Sequence, residues 1–534
     1  MDNRTSRSRV CGFLHVDGRK LYNEKDEEII LSGVGFGNWL LPEGYMWHAG
    51  GIFDRPHRIE AVVRHLTGSA FASEFWKTFR NNYITRRDIE MIAEMGFNSI
   101  RIPINWRVIM EDEPGIHFIE EGFHVIDRCL DWCEEFNLYA ILDLHGAPGG
   151  QTGSNIDDCF DDIPRLFIDA ESRDKAIALW EEMARRYRDR SIVAAYDLLN
   201  EPLRTPRPNK PDTEYLHPEL VRFYDDCIAA IRKIDTRHAL SIEGANWASR
   251  TDTFFKSYDP QTIIHFHRYG NLPGEEAYHE WIETSNRLNA PIWLGESGEN
   301  SLEWCTAMFP LGVKLDIGFN FWTWKKMAKN PSPLAIMMPE NWNKIIDFTK
   351  GGPRPTYAEA QKIFSDYLEN IKAENCLRND TIVNGILRRH AVSLMATDFD
   401  TGPNSCSALR PKGNIFKYRA NTGMEIKARR GETYAHGPGF DSGWEKLCLG
   451  MRAGEWALYS LDDVPCNLVV TLTGDACGSA KIKVSLDDGS QASIFENTGT
   501  AKFIHEAKIQ VSGDCRVRVE CLEGTFDFHT ISLQ

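Results

Sequence analysis

The chain has no apolar run approaching the ~20 residues that span a bilayer, so no membrane partner is expected. Nor has it an excess of positive charge: 61 Lys and Arg stand against 77 Asp and Glu, a net charge of −16. That balance repels phosphate backbones and argues against a nucleic-acid partner. Paired Cys-x-x-Cys zinc spacings are absent too. The 13 cysteines are scattered, and their odd number leaves at least one outside any pairing, so they read as reduced and structural. A basic start, from Met1 to Arg9, is followed by no apolar segment of signal-peptide length. Together with the thiols, this predicts a cytoplasmic protein. There is no internal repeat and no low-complexity tract, and nothing calls for a cofactor or a metal.

What is present is ordinary globular composition, 42% hydrophobic and 26% charged, in a chain too long for one core. The 534 residues predict two domains, 1–375 and 376–534. In the first, short β-branched or apolar runs alternate with helical segments. There are eight: Ile29 to Gly35, Ser99 to Ile102, Tyr139 to Leu144, Val193 to Leu199, Ala239 to Glu243, Thr262 to Phe266, Pro291 to Gly295 and Gly318 to Trp322. Eight repeated βα units predict an α/β fold, a (β/α)8 TIM barrel. After Pro353-Arg354-Pro355 and a last helical segment, Tyr357 to Ile371, the pattern turns to period-two strands with Asp-Gly and Ser-Gly turns. A C-terminal β-sandwich, jelly-roll-like, is the expectation.

Barrel chemistry collects where strands end. There the chain places His145-Gly146, Asn200-Glu201-Pro202, His267-Arg268-Tyr269 and Glu296-Ser297. Two long loops, Phe36 to about Tyr83 and His145 to about Ser172, carry Gly and aromatics such as Trp39, Tyr45, Trp47 and Phe160 and would shape a cleft. Glu201 and Glu296 follow the fourth and seventh runs, on opposite sides of the mouth, and could work as a carboxylate pair. Glu243, ending the fifth run, is a third carboxylate that could bind a hydroxyl or, as the weaker alternative, be catalytic. A metal site of Asp143, His145, His265 and His267 is a rival reading, weakened because the carboxylate pair already accounts for the cleft.

In order along the chain stand Arg101-Ile-Pro, Asp143-Leu-His-Gly, Leu199-Asn-Glu-Pro, His267-Arg-Tyr, Gly295-Glu-Ser and Phe321-Trp-Thr-Trp-Lys. In these motifs the stretch from about 15 to 370 resembles glycoside hydrolase family 5. Gly33-Val-Gly-Phe-Gly-Asn-Trp-Leu and Asp143-Leu-His-Gly-Ala-Pro-Gly-Gly-Gln are similar to its exo-β-1,3-glucanase-like branch. The resemblance implies a retaining β-glycoside hydrolase, with Glu201 as acid/base and Glu296 as nucleophile. It further implies that Arg101 orients Glu296, Asn200 bonds a sugar 2-hydroxyl, and His145 and His267 line the subsite. Tyr269 would bond the nucleophile, Trp322 stack on the sugar and Glu43 contact substrate.

The implied partner is an oligosaccharide or small glycoside, cleaved by exo action on a β-glucosidic bond; the oligomeric state stays open. A β-mannosidase or diglycosidase of the same fold, and a non-catalytic carbohydrate-binding protein, are the alternatives. Ser297 stands where the family commonly has Phe, and His265 and Arg268 add charge-capable groups, which bears on specificity. The C-terminal segment Gly454-Glu455-Trp456-Ala457-Leu458-Tyr459, with the ending Phe526-Asp-Phe-His, is similar to family 6 carbohydrate-binding modules, with Trp444, Trp456 and Tyr459 as sugar-binding candidates; buried sandwich aromatics in a purely structural cap on the barrel are the alternative.

Overall fold

In the computed structural model the described residues are 9–534, apart from 209–211, 328–330, 403, 408–417, 420–421, 435–438, 440–442 and 466. The first strands, β1 (His15–Asp17), β2 (Lys20–Tyr22) and β3 (Glu28–Ile29), form a small antiparallel sheet. Its apolar side chains, Leu14, Leu21 and Ile29, pack on Tyr139, Ala194 and Ile263. These lie at the starts of barrel strands, so the sheet plugs the end of the barrel away from the site.

The barrel strands are β4 (Ser32–Gly35), β5 (Ser99–Asn105), β6 (Tyr139–Gly146), β7 (Val193–Asp197), β8 (Ala239–Glu243), β9 (Thr262–His267), β10 (Ile292–Gly298) and β11 (Gly318–Trp322). They close in the order β10-β11-β4-β5-β6-β7-β8-β9, all pairs parallel. The fold is thus the expected TIM barrel. One run divides: Ile29 belongs to the plug and the barrel strand starts at Ser32, whose N–H is taken by the Asn98 side chain at 2.8 Å. Register sets the site, aligning Asp143 with Asp197, Glu243 with His265 and Glu296 with His267.

Helix Tyr357–Asn370 opens with a capping box, Thr356 and Glu359 bonding each other's backbone. A further helix, Asp380–Leu387, lies beyond the expected boundary at 375/376. Its Ile382, Val383, Ile386 and Leu387 sit in the barrel's core, and the second core begins at Val392.

The C-terminal domain is antiparallel sheet. Two long strands, Asn467–Leu486 and Gly513–Leu533, pair along their length, with register breaks near Gly474 and between Ala476 and Ala480. Across these breaks the first strand changes neighbour, from Lys502–Gln510 to Ser493–Asn497. Two of the three sugar-binding candidates are core residues, as the alternative reading had them. Trp444 is buried edge-on against Tyr418, and the buried Tyr459 hydroxyl donates to the Ala396 carbonyl. Only Trp456 keeps part of its surface, beneath the Arg518 guanidinium. Helix Leu302–Lys314 joins the domains, Lys314 pairing with Asp400 and Thr306 Oγ1 donating to Asp398. No described helix is long and apolar enough to cross a membrane.

Candidate active site

At the C-terminal mouth of the barrel, Arg101 of β5 is fully buried and bonded on every side. Its Nη1 donates to Glu296 Oε2 at 2.7 Å and its Nε to Asp197 Oδ2 at 2.8 Å. Its Nη2 reaches Asn200 Oδ1 (2.8 Å), Glu243 Oε1 (3.0 Å) and Asp143 Oδ2 (3.1 Å). Burial alone would expel a charge, but four surrounding carboxylates outweigh it and keep the guanidinium charged. The always-charged planar fork suits Arg to this place where Lys would satisfy fewer partners.

Glu296 ends a bulged stretch of β10 and holds two further contacts. Tyr269 Oη donates to its Oε1 at 2.6 Å, and His267 Nδ1 lies 3.8 Å from the same oxygen. Glu201 follows β7 with its backbone in the left-handed region, φ 45°, a conformation that costs a non-glycine residue about 1 kcal/mol or more. A bond compensates: its N–H donates to Glu243 Oε2 at 2.6 Å. Its Oε1 lies 2.7 Å from His267 Nδ1. Oxygens of Glu201 and Glu296 and a nitrogen of His267 all fall within 4.8 Å of one another.

His145 is buried, stacked parallel to Trp322 at 5.5 Å between ring centroids, with Nδ1 on Asp143 Oδ2 at 2.7 Å. Burial first, and then the Arg101 charge, push its imidazole down to about 4, so it is neutral above that pH. With a proton on Nδ1, its Nε2 accepts from Asn200 Nδ2 at 3.3 Å. That leaves the amide's second N–H for a ligand. Gln151 in the long loop after β6 donates to the backbone oxygens of His145 and Asn200 at 2.7 and 2.8 Å, fixing both.

The first long loop closes one side. Tyr45 Oη accepts from Trp322 Nε1 at 2.8 Å, and His48 Nε2 lies 2.7 Å from the Met327 carbonyl. Glu43 on this loop is buried, and its Oε1 has no hydrogen-bond partner. Burial, then the charges of Glu296, Glu299 and Glu201, raise its pKa well above the usual carboxylate range. Glu299 in turn holds Lys326 at 2.8 Å.

Every expected site residue therefore converges here. Arg268 is a correction: its guanidinium turns outward to the Ala277 carbonyl and Glu280. Ser297 Oγ donates to the Arg268 carbonyl and faces no cleft. The four-residue metal reading is not assembled, since Asp143 and His145 pair with each other. Among the described residues, the groupings with ligand spacing are Glu243, His265, His267 and Glu201, His267, Glu296. In the first, Arg101 already supplies a fixed positive charge 3.0 Å from Glu243 Oε1, and the three read as a hydrogen-bonded set. Sequence reasoning missed Asp197, Gln151, Glu299 and Lys326. The polar Asp197 ending an apolar strand was the one available signal.

An eight-stranded parallel barrel with a paired-carboxylate mouth defines the class. Within it, residues 63–327 match the model of Cellulase (glycosyl hydrolase family 5), which places that stretch of the chain in the family. Three curated relatives are similar over this region. The Beta-xylosidase of Phanerodontia chrysosporium is 33% identical over 237 residues, covering 44% of this chain and 47% of the relative. Endoglucanase C of Acetivibrio thermocellus is 30% identical over 226 residues, 42% of this chain and 60% of that one. Probable glucan 1,3-beta-glucosidase A of Aspergillus fumigatus is 31% identical over 183 residues, 32% and 41%. The chain thus spans about half the length of the curated relatives it matches.

Proposed function

We propose that this protein is a retaining β-glycoside hydrolase that removes a β-glucosyl unit from the non-reducing end of a small glycoside or oligosaccharide. The observation that carries the reading is the spacing of Glu201 and Glu296, with oxygens within 4.8 Å. Retaining enzymes hold their carboxyl groups about 5–5.5 Å apart, inverting ones about 6.5–9.5 Å.

Glu296, ionised and oriented by Arg101 and Tyr269, attacks the anomeric carbon. The bond to the leaving oxygen breaks, and that oxygen takes the Glu201 proton. Glu201, now a carboxylate, takes a proton from water, whose oxygen attacks the same carbon and expels Glu296 with net retention. Asn200 offers its free amide hydrogen to the sugar 2-hydroxyl, and Trp322 offers a flat apolar face to the ring.

Exo action is supported by the closed side of the pocket, where Tyr45 bonds Trp322 and the unpartnered Glu43 oxygen awaits a hydroxyl. The similarity to glucan 1,3-beta-glucosidase A supports the glucoside reading. A second reading, a glycoconjugate hydrolase, is favoured by exposed apolar rings on the segments that follow the barrel strands. Phe160, Tyr215 and Phe255, on loops after β6, β7 and β8, are 78%, 67% and 62% exposed, which suits an apolar aglycone.

The test is a panel of aryl β-glycosides (glucoside, mannoside, galactoside, rutinoside) assayed with wild type and Glu296→Ala. The expected result is release from the glucoside, lost by about 10⁴-fold or more in the variant. Azide should restore turnover with inverted product. A variant that kept most of its activity would overturn the assignment.

A further inference from the structure

Behind the carboxylate pair lies a second layer of buried ionisable groups that the double displacement does not use. His267 Nδ1 faces Glu201 Oε1 at 2.7 Å, and its Nε2 faces His265 Nε2 at 3.1 Å. His265 Nδ1 lies 3.1 Å from Asp197 Oδ1, 3.0 Å from Ser241 Oγ and 3.3 Å from Glu243 Oε1. His265, Asp197, Ser241 and Glu243 are all fully buried.

The space is built for this ring. Trp293 packs on it at 4.8 Å, and a Cβ on Gly295 would stand 1.9 Å from His265 Nε2. The residue before Glu296 has therefore given up a side chain to admit an imidazole.

The proton pattern follows from counting donors. Two Nε2 atoms facing each other share one proton. Arg101 Nε occupies Asp197 Oδ2 and holds the aspartate ionised, so Asp197 Oδ1 can only accept and His265 Nδ1 must carry hydrogen. Burial disfavours a second proton on His265, which leaves Nε2 as an acceptor. His267 must then donate from Nε2. Its Nδ1 faces Glu201 with one proton between them, carried by either atom.

We propose that His265, fixed by Asp197 as the Nδ1–H tautomer, is a positioning residue that keeps an exchangeable proton between His267 Nδ1 and Glu201, so that Glu201 can act as an acid. The proposal rests on the glycosidase reading above. The proton delivered to the leaving oxygen departs from Glu201, and the one taken from water returns there. No net proton moves through the two imidazoles. The groups facing this chain are Arg101, Asp197, Ser241, Glu243 and, 3.8 Å from His267, Glu296.

Asp197→Asn breaks the pattern without emptying the space. Arg101 Nε still demands an acceptor, so the amide turns its oxygen to Arg101 and its NH₂ to His265 Nδ1. His265 then becomes the Nε2–H tautomer, His267 Nε2 must accept, and its proton moves to Nδ1. There it donates permanently to Glu201 Oε1, and the proton that His267 Nδ1 and Glu201 had shared leaves to solvent, so that Glu201 is held as carboxylate. In hydrolases where a buried aspartate sets an imidazole tautomer, this exchange costs about 10⁴ in rate.

The experiment compares aryl glucosides with poor and activated leaving groups. For Asp197→Asn, kcat/KM on the poor leaving group should fall by about 10²–10⁴-fold, the range of general acid catalysis. On the activated one it should change by less than about tenfold, and the basic limb of the pH profile should move down by about one unit or more. Equal losses on both substrates would overturn the proposal.

Should Asp197→Asn fail to fold, His265→Leu and His265→Gln give the same split, with Gln, whose Oε1 can accept from His267, recovering activity that Leu loses. No difference between Gln and Leu would count against it. Side-chain ¹⁵N spectra of histidine-labelled protein read the tautomer independently of turnover. Nδ1–H at His265 in wild type supports the proposal, whereas Nε2–H overturns it even in a fully active enzyme. An inactive wild type with the expected tautomer would refute the glycosidase reading and leave the tautomer assignment standing.

Discussion

The mouth of the barrel and the edge of the sheet domain both bury carboxylates, and they surround them with different charges. At the mouth, charges of both signs interleave: Arg101 touches Asp143, Asp197, Glu243 and Glu296, and burial of His267 is outweighed by Glu243, Glu296 and Glu201, which lift its pKa. At the sheet edge, like charges crowd. Burial, then Asp514 and Asp463, push Asp462 up to about 7 despite Arg388 and Arg389. Nearby Asp398 is raised by burial to about 6. The first arrangement aims its groups at one point around a fixed cation, with burial still holding Asp143, Glu243 and Glu43 above the usual carboxylate range. The second includes a contact between the domains, Thr306 Oγ1 donating to Asp398.

Removing the mouth's central cation should have the largest effect. Arg101→Met leaves buried carboxylates without a counter-charge and should destabilise the protein by about 3–5 kcal/mol, with activity lost even where the variant folds. Chemical denaturation with a parallel assay measures both, and an unchanged midpoint would break the contrast between the regions.

Glu43 offers a smaller, sharper test. Glu43→Ala should lower kcat/KM by about 10²-fold through loss of a buried hydroxyl contact, while Glu43→Gln, which mimics the protonated acid, should lose less than about tenfold. Equal losses would show that charge matters there rather than a hydrogen bond.

Smallest is the edge. Asp462 binds its proton more tightly folded than unfolded, so its contribution is fully present below the unfolded value near 3.8 and is lost as pH rises through about 7. Asp462→Asn should therefore raise the melting temperature above pH 7 by about 2–4 °C, corresponding to about 1 kcal/mol, and have no effect near pH 4. His145 runs the other way. Its folded value, near 4 against 6.5, makes stability fall as acid is added between those limits, a loss that Asp462→Asn should leave untouched.

How far the sequence foretold this differs between regions for the same physical reason. Barrel strands end sharply, so the residue after each run, Glu201 or Tyr269, announces itself as a loop group. Asp197 closes its strand between Tyr196 and the apolar Leu198 and Leu199, which disguise it as core, whereas Glu243 and His265 stand out as charge-capable groups in otherwise apolar runs. In the sheet domain, period-two alternation marks two faces without saying which is covered, so candidates for sugar contact and core aromatics look alike there, and Trp444 and Tyr459 are core. Helix Asp380–Leu387 was hidden by the polar Thr, Asn and Asp around its short apolar face.

The central claim is that Glu296 is the atom donor of a covalent sugar ester. Incubation with a 2-deoxy-2-fluoro-β-glucoside bearing an activated leaving group, followed by peptide mapping, tests it directly. The account predicts one sugar on Glu296 and time-dependent inactivation. A label on Glu201 or Glu243, or an active enzyme that yields inverted product and is never labelled, would contradict it.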